Sequence, residues 1–337
     1  MRTRLATALL VAALAGPPAA AQSLPSPARR GPFPARDPWL LAQPLLTLPA
    51  TAPDPLPRGR TEVRVDGEWG SDFAFVGTVR GAVVDTRYMV DGEHRSGALT
   101  LRRGLGRGLT VGLRAEVLWR GRGIMDGIID TWHDLLGLPD GGRSLFPDDR
   151  LRIEGRDLER RPIRWQGRGG TGLGNLELEA HQALWGRDGA PAWQGAVVAR
   201  LSVPTATGVF AEAGGGGGLQ LVVARPLGSR ADLYAGLGAT LLGPPRLEGI
   251  EYRRTRPQGF LALEGRITRG WSVIVQLDAA GRLVTNVDSY PGSAVYLRVG
   301  SKFGLGRWTV EGGVTEGVKN QVAATDFGLV AALSRRF

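Results

Sequence analysis

Thr325-Asp-Phe-Gly-Leu-Val-Ala-Ala-Leu-Ser-Arg-Arg-Phe337 is the stretch whose reading decides the fold. Every second residue gives Phe327, Leu329, Ala331, Leu333, Arg335 and the terminal Phe337. Gly328, Val330, Ala332, Ser334 and Arg336 lie between them. Near-alternation that ends on an aromatic carboxy-terminal residue marks the last strand of a transmembrane β-barrel, with one face to lipid and the other to the lumen. Such a strand closes the sheet against the first one, and its end is the expected handle for the barrel-assembly machinery.

Working upstream, the same pattern recurs. Leu109, Val111, Leu113, Ala115, Val117 and Trp119 share one face, opposite Thr110, Gly112, Arg114, Glu116 and Arg120. Leu176, Leu178 and Ala180 oppose Asn175, Glu177, Glu179 and His181. Further alternating runs follow near residues 233–241, 261–268, 271–278 and 295–303. Short turns near 104–107, 186–190, 226–230, 269–270 and 305–307 alternate with longer connections, and Trp185, Trp193, Tyr234, Trp271, Phe303 and Trp308 flank the short turns. Short periplasmic turns, longer outer loops and interfacial aromatic girdles are the barrel pattern. The class is therefore all-β, a transmembrane antiparallel barrel of about twelve strands over 61–337. Val83–Val90 with Asp91-Gly92 reads as a possible extra hairpin, which would raise the count to fourteen.

The amino terminus reads as an export signal over residues 1–21. Arg2 and Arg4 precede the apolar run Leu5–Ala15 and the small-residue site Ala19-Ala20-Ala21. No cysteine is present, which removes lipid anchoring, disulfides and thiolate metal sites. No later segment has the roughly 18 consecutive apolar residues of a membrane helix. The formal charge of +10 is almost all arginine, since Lys302 and Lys319 are the only lysines. The arginines are scattered rather than patched, so nucleic acid is not expected as a partner, whereas outer-membrane lipid and a small solute are. Residues 22–60 are proline-rich, for example Gly31-Pro-Phe-Pro-Ala-Arg-Asp-Pro-Trp39. Proline lacks the donor a central strand needs. The segment reads as an extended periplasmic strap that could enter the barrel mouth, or as a disordered linker.

Residues 123–137 break the strand pattern. Ile124, Ile128, Trp132, Leu135 and Leu136 fall at helical spacing, with Gly137 and Pro139 as the stop. The turn register puts this helix in the longest outer loop, folded into or across the mouth. The block Gly123-x-x-Asp126-x-x-Ile129-Asp130-x-Trp132-His133, then Gly137-Leu-Pro-x-Gly-x-Arg143, resembles the signature of an uncharacterised Gram-negative outer-membrane family, domain of unknown function 3187. The Asp91-Gly92-Glu93 turn and the start around Gly31-Pro32 are similar to it too. The resemblance implies a barrel in the outer membrane and brings no activity.

Asp126, Asp130 and His133 at i, i+4 and i+7 could offer three ligands to a hard cation or zinc. The bland reading has an aspartate capping the helix and His133 bonded to Arg114 or Arg143. His181 lies beside Glu177 and Glu179, and a nucleophilic partner such as Ser202 or Ser272 lacks any flanking signature. The sequence thus assigns no catalytic residue, metal or cofactor. Gly214–Gly218 lacks the lysine of a phosphate loop and reads as a flexible outer loop. Arg114, Glu116, Glu177, Glu179, Arg200, Glu264, Arg266, Arg298, Lys302 and Glu311 fall on the lumen face. They favour a narrow channel for small polar or anionic solutes. A closed structural or ligand-binding barrel plugged by the helix comes second, and an outer-membrane hydrolase third.

Overall fold

The structure is a computed structural model and describes residues 30–80, 83–137, 142–166, 169–186, 193–243, 246–247, 250–287, 290, 292–319 and 324–337. The export signal, Pro139 and part of the 186–190 turn lie outside the described residues. In chain order the strands are β1 (Thr61–Arg80), β2 (Val83–Gly106), β3 (Leu109–Gly121), β4 (Arg152–Arg156), β5 (Pro162–Gln166) and β6 (Gly170–Leu173). They continue with β7 (Leu176–Trp185), β8 (Gln194–Val203), β9 (Gly216–Pro226), β10 (Ala231–Leu242), β11 (Arg246–Leu247) and β12 (Ile250–Glu251). The last five are β13 (Thr255–Arg266), β14 (Trp271–Ala280), β15 (Ala294–Leu305), β16 (Trp308–Lys319) and β17 (Phe327–Arg336). One helix, α1 (Asp126–Leu136), lies between β3 and β4.

Twelve of these strands pair antiparallel in a ring, in the order β1-β2-β3-β7-β8-β9-β10-β13-β14-β15-β16-β17. The ring closes because β17 also pairs β1, with Val65 opposite Leu333 and Ser71 opposite Phe327. Full closure leaves no unpaired edge, which is what a sheet in lipid requires. Strands of ten to thirteen residues suffice elsewhere, but β1 and β2 run for 20 and 24 residues and project beyond the ring. On that projection, β2 pairs β4 from Tyr88 to Asp91, and β3 pairs β6 above its contact with β7.

Twelve strands therefore stand, and the extra hairpin does not. Asp91-Gly92-Glu93 is not a turn but the middle of β2, opposite Phe73-Asp72-Ser71 of β1. The glycines of Gly214–Gly218 are corrected in the same way: Gly216, Gly217 and Gly218 open β9, opposite Leu242, Leu241 and Thr240.

The outer face is aliphatic around the ring. Val65, Leu99, Leu113, Leu178, Leu221, Leu237, Leu261, Leu277, Val310 and Leu333 are all exposed, Leu237 at 71%. A continuous band of this kind is a lipid surface rather than a water surface. At the short-turn end Trp185, Trp193, Trp271, Phe303, Trp308 and Phe337 stand out from the wall. Trp271 stacks on Phe303 at 5.9 Å, and Arg335 lies over both Trp308 and Phe337. Tyr234 departs from this girdle. It points into the lumen, fully buried, and donates to Glu264 at 2.8 Å.

Candidate functional site

The lumen is occupied by the chain's own amino-terminal segment. Arg30 enters at the short-turn end, where its amide and that of Gly31 donate to Glu264 and its side chain to the carbonyl of Arg269. The chain rises through Phe33, Arg36 and Asp37 to a tight double turn, Ala42 to Trp39 and Leu45 to Ala42, at the long-loop end. It then descends through Leu48, Thr51 and Pro53 to Gly59, which bonds Gly104 back at the short-turn end. The result is a U-shaped plug. The sequence suggested an extended periplasmic strap that could enter the barrel mouth, or a disordered linker. The segment runs inside the ring along its length, because the inner wall supplies partners for an extended backbone with eight prolines between residues 31 and 57.

Three of those partners are glutamines on β9, β13 and β14, and Thr110 on β3 with Arg298 and Lys302 on β15 supply others. Gln276 accepts from the Phe33 amide at 2.8 Å and donates to the Phe33 carbonyl at 3.1 Å. Gln258 accepts from the Leu48 amide, and Gln220 donates to the Leu48 carbonyl. Each glutamine thus does what a neighbouring strand would do. Glycines give the plug side chains room. A Cβ at Gly218 or Gly238 would meet the Leu48 side chain at 2.8 Å, and one at Gly300 would meet the Phe33 ring at 2.8 Å. Around these contacts Ala196, Val198, Val222, Ala224, Phe260, Ala262 and Ile274 form an apolar inner wall.

The opposite wall is charged. Arg114 forms two 2.9 Å bonds to Asp66. Glu116 and Glu177 hold the plug's Arg36 at 3.1 and 2.6 Å. Glu179 pairs with Arg102 at 3.0 Å and with Arg200 at 2.8 Å. Arg298 reaches Asp278 at 2.7 Å and Glu68 at 3.3 Å, and Lys302 reaches Glu311 at 3.1 Å. Glu264 and Arg266 also face inward, Arg266 with Asp232. The ten lumen charges read from the sequence are therefore where alternation placed them. Two cavities remain between the plug and this wall. The larger is lined by Arg64, Arg102, Arg114 and Arg200 against Glu177 and Glu179. The smaller adjoins it through Pro34, Arg64 and Arg114 and is lined also by Asp66, Glu68 and Glu311.

The long-loop end is sealed by hydrocarbon. Trp39, Leu40, Leu41, Leu45 and Leu46 at the plug's apex pack with Tyr88, Val90, Ile153, Tyr252, Leu283, Val284 and Tyr290.

His181 lies in the lumen, where its Nε2 is 3.2 Å from the Pro53 carbonyl of the plug. Ser202 stands opposite Glu177 and Ser272 opposite Arg266, so the sequence candidates for a nucleophile are not brought to it. The helix is also not where the sequence put it. Met125, Ile129 and Trp132 pack on Trp69, Val314 and Phe327, which all lie on the outward face of the wall. α1 therefore lies against the outside of the barrel near the long-loop end and does not cross the mouth. The amides of Ile124 and Met125, just before its first turn, donate to Glu93 at 2.5 Å, and Gly137 ends it in the left-handed region at φ 64. Asp126 is buried and paired with Arg143, which also holds Asp326 at 2.7 Å. Asp130 is exposed, and His133 bonds neither Arg114 nor Arg143 but turns toward Asp326.

What sequence reasoning missed was the plug. A signal was present. Ala196-Val197-Val198-Ala199 and Leu221-Val222-Val223-Ala224 are apolar on both faces, so their inner face had to meet protein rather than water.

A family model described as a protein of unknown function, DUF3187, matches residues 10–337. No curated protein matches the sequence. Among solved structures, the COG4313 outer membrane channel from Pseudomonas putida F1 is similar at 13% identity and a TM-score of 0.56, over 84% of this chain and 97% of that one. The NanC porin is similar at 9% identity and a TM-score of 0.45, over 82% and 98%. At these identities the likeness is one of fold, that of outer-membrane barrels.

Proposed function

The chain belongs to the DUF3187 family of proteins of unknown function, and from that premise we propose that it is an outer-membrane channel closed by its own displaceable plug. The observation that carries this reading is the division of the lumen. Three glutamines hold the plug's backbone on the apolar side, while on the charged side two cavities separate plug and wall and are crossed by the Arg36 pairs with Glu116 and Glu177. Movement of the plug on its glutamine rail exposes a path lined by ion pairs. Such a path suits small polar solutes. Four guanidiniums against two carboxylates in the larger cavity favour anions among them. The same reading puts outer-leaflet and inner-leaflet lipid on the aliphatic band. It gives the strand ending at Phe337 to the barrel-assembly machinery, and it places the short turns in the periplasm. It includes no catalytic step.

A second reading is a closed structural or ligand-binding barrel, favoured by the apolar seal around Trp39. Planar-bilayer conductance of the refolded chain beside a variant lacking residues 30–57 separates the two. The channel reading expects brief, small openings from the full chain and a large steady conductance from the deletion. An intact chain that stays silent under every voltage and solute tried would leave the closed barrel standing.

A further inference from the structure

On the outer wall, beneath the carboxy-terminal half of α1, His133, Glu316 and Asp326 place one ligand atom each within 4.8 Å of one another. Glu316 comes from the outward face of β16, and Asp326 immediately precedes β17. His133 is 4% exposed, and neither of its ring nitrogens has a hydrogen-bond partner. A buried imidazole with both nitrogens unsatisfied is costly and rare. Its Nε2 stands 3.9 Å from Asp326 Oδ1, too far for a hydrogen bond. Two metal–ligand arms of roughly 2.0–2.2 Å at the tetrahedral angle span about 3.4 Å, so a small inward turn of either side chain would bring both atoms onto one ion. Asp326 is also held from behind. Its other oxygen accepts from Arg143 at 2.7 Å, and Arg143 is held in turn by Asp126. That is the arrangement by which outer partners orient a ligating carboxylate.

We propose that His133, Glu316 and Asp326 bind one divalent cation of the zinc class, which clips α1 to the barrel wall beside the β16–β17 pair. One imidazole and two carboxylates suit zinc or manganese better than calcium or magnesium, which favour all-oxygen sites. The donor set is not the helical triad of the sequence. Asp126 is committed to Arg143, Asp130 is exposed, and Glu316 of β16 with Asp326 just before β17 take their places.

The test uses the full chain, refolded without a tag and dialysed against Zn²⁺, with bound zinc measured by elemental analysis. One zinc per chain is expected, with binding weakened at least about tenfold in both His133→Ala and Glu316→Gln. Glu316 is half-buried on a strand and its carboxylate makes no hydrogen bond among the described residues, so its amide leaves the fold intact. The shift in gel mobility on heating confirms that each variant forms a barrel. No zinc on the parent, or undiminished zinc on either variant, overturns the site.

Discussion

At the residue scale, the plug is fastened by a few groups whose partners are buried with them. Two of them are charged: Arg36, buried and shared between Glu116 and Glu177, and Asp37, paired with Arg256. Arg36→Met leaves two close carboxylates without their cation, a change that costs roughly 3–5 kcal/mol when such a group is buried. The expected outcome is a rise of about 100-fold or more in the open probability of single channels, measured in planar bilayers. Arg102 and Arg114 set the sign of the larger cavity. In the variant lacking residues 30–57, neutralising both to glutamine is expected to shift the reversal potential under a salt gradient toward cation preference. The lumen charges were legible in the sequence because strand alternation assigns a face without knowledge of neighbours. His133 was not legible in the same way. Its helical spacing to Asp126 and Asp130 is real, but its neighbours Glu316 and Asp326 lie almost two hundred residues away, where no local pattern reaches. Tyr234 misled for a related reason: proximity to a turn does not say which face a ring takes, and Glu264 inside the lumen holds its hydroxyl.

At the element scale, α1 illustrates how a local pattern fixes an element but not its place. Its extent followed from spacing and from Gly137, yet its side of the wall depends on Glu93. That carboxylate accepts from the two amides that precede the helix, those of Ile124 and Met125, and from Trp69 Nε1 at 2.7 Å, and a Cβ at Gly123 would collide with it. Glu93→Gln keeps the shape and loses the charge, so it should weaken the helix start by about 1–3 kcal/mol. Faster hydrogen exchange over residues 124–136, with the barrel strands unchanged, is the expected reading. Because α1 lies outside, removal of residues 123–148 should leave single-channel conductance as it is in the full chain. A large steady pore after that deletion would mean that the insertion, not the amino-terminal segment, is the barrier. The Asp91-Gly92 pair was misread as a turn because the dipeptide favours one. The ten residues of β1 beyond Gly70 pair across it and hold it extended.

At the scale of the whole molecule, the wall closes through its own twelve pairings and does not depend on the plug for connectivity. A chain without residues 30–57 is therefore expected to form a barrel, but one that loses its heat-shifted gel mobility at a lower temperature than the parent. The apolar cluster around Trp39 and the glutamine bonds would be gone. Phe337→Ala should slow appearance of folded barrel in envelopes while leaving refolding in detergent near normal. The architecture was legible because alternation, turns and girdles repeat along the chain. The plug was hidden because a proline-rich extended segment has no period and makes all its contacts at long range. Its shape has a topological consequence. Both limbs of the described segment, from Arg30 to Gly59, pass through the same mouth. The insert is a bight, like a doubled rope pushed into a pipe, and could be drawn out whole without opening a single strand pair.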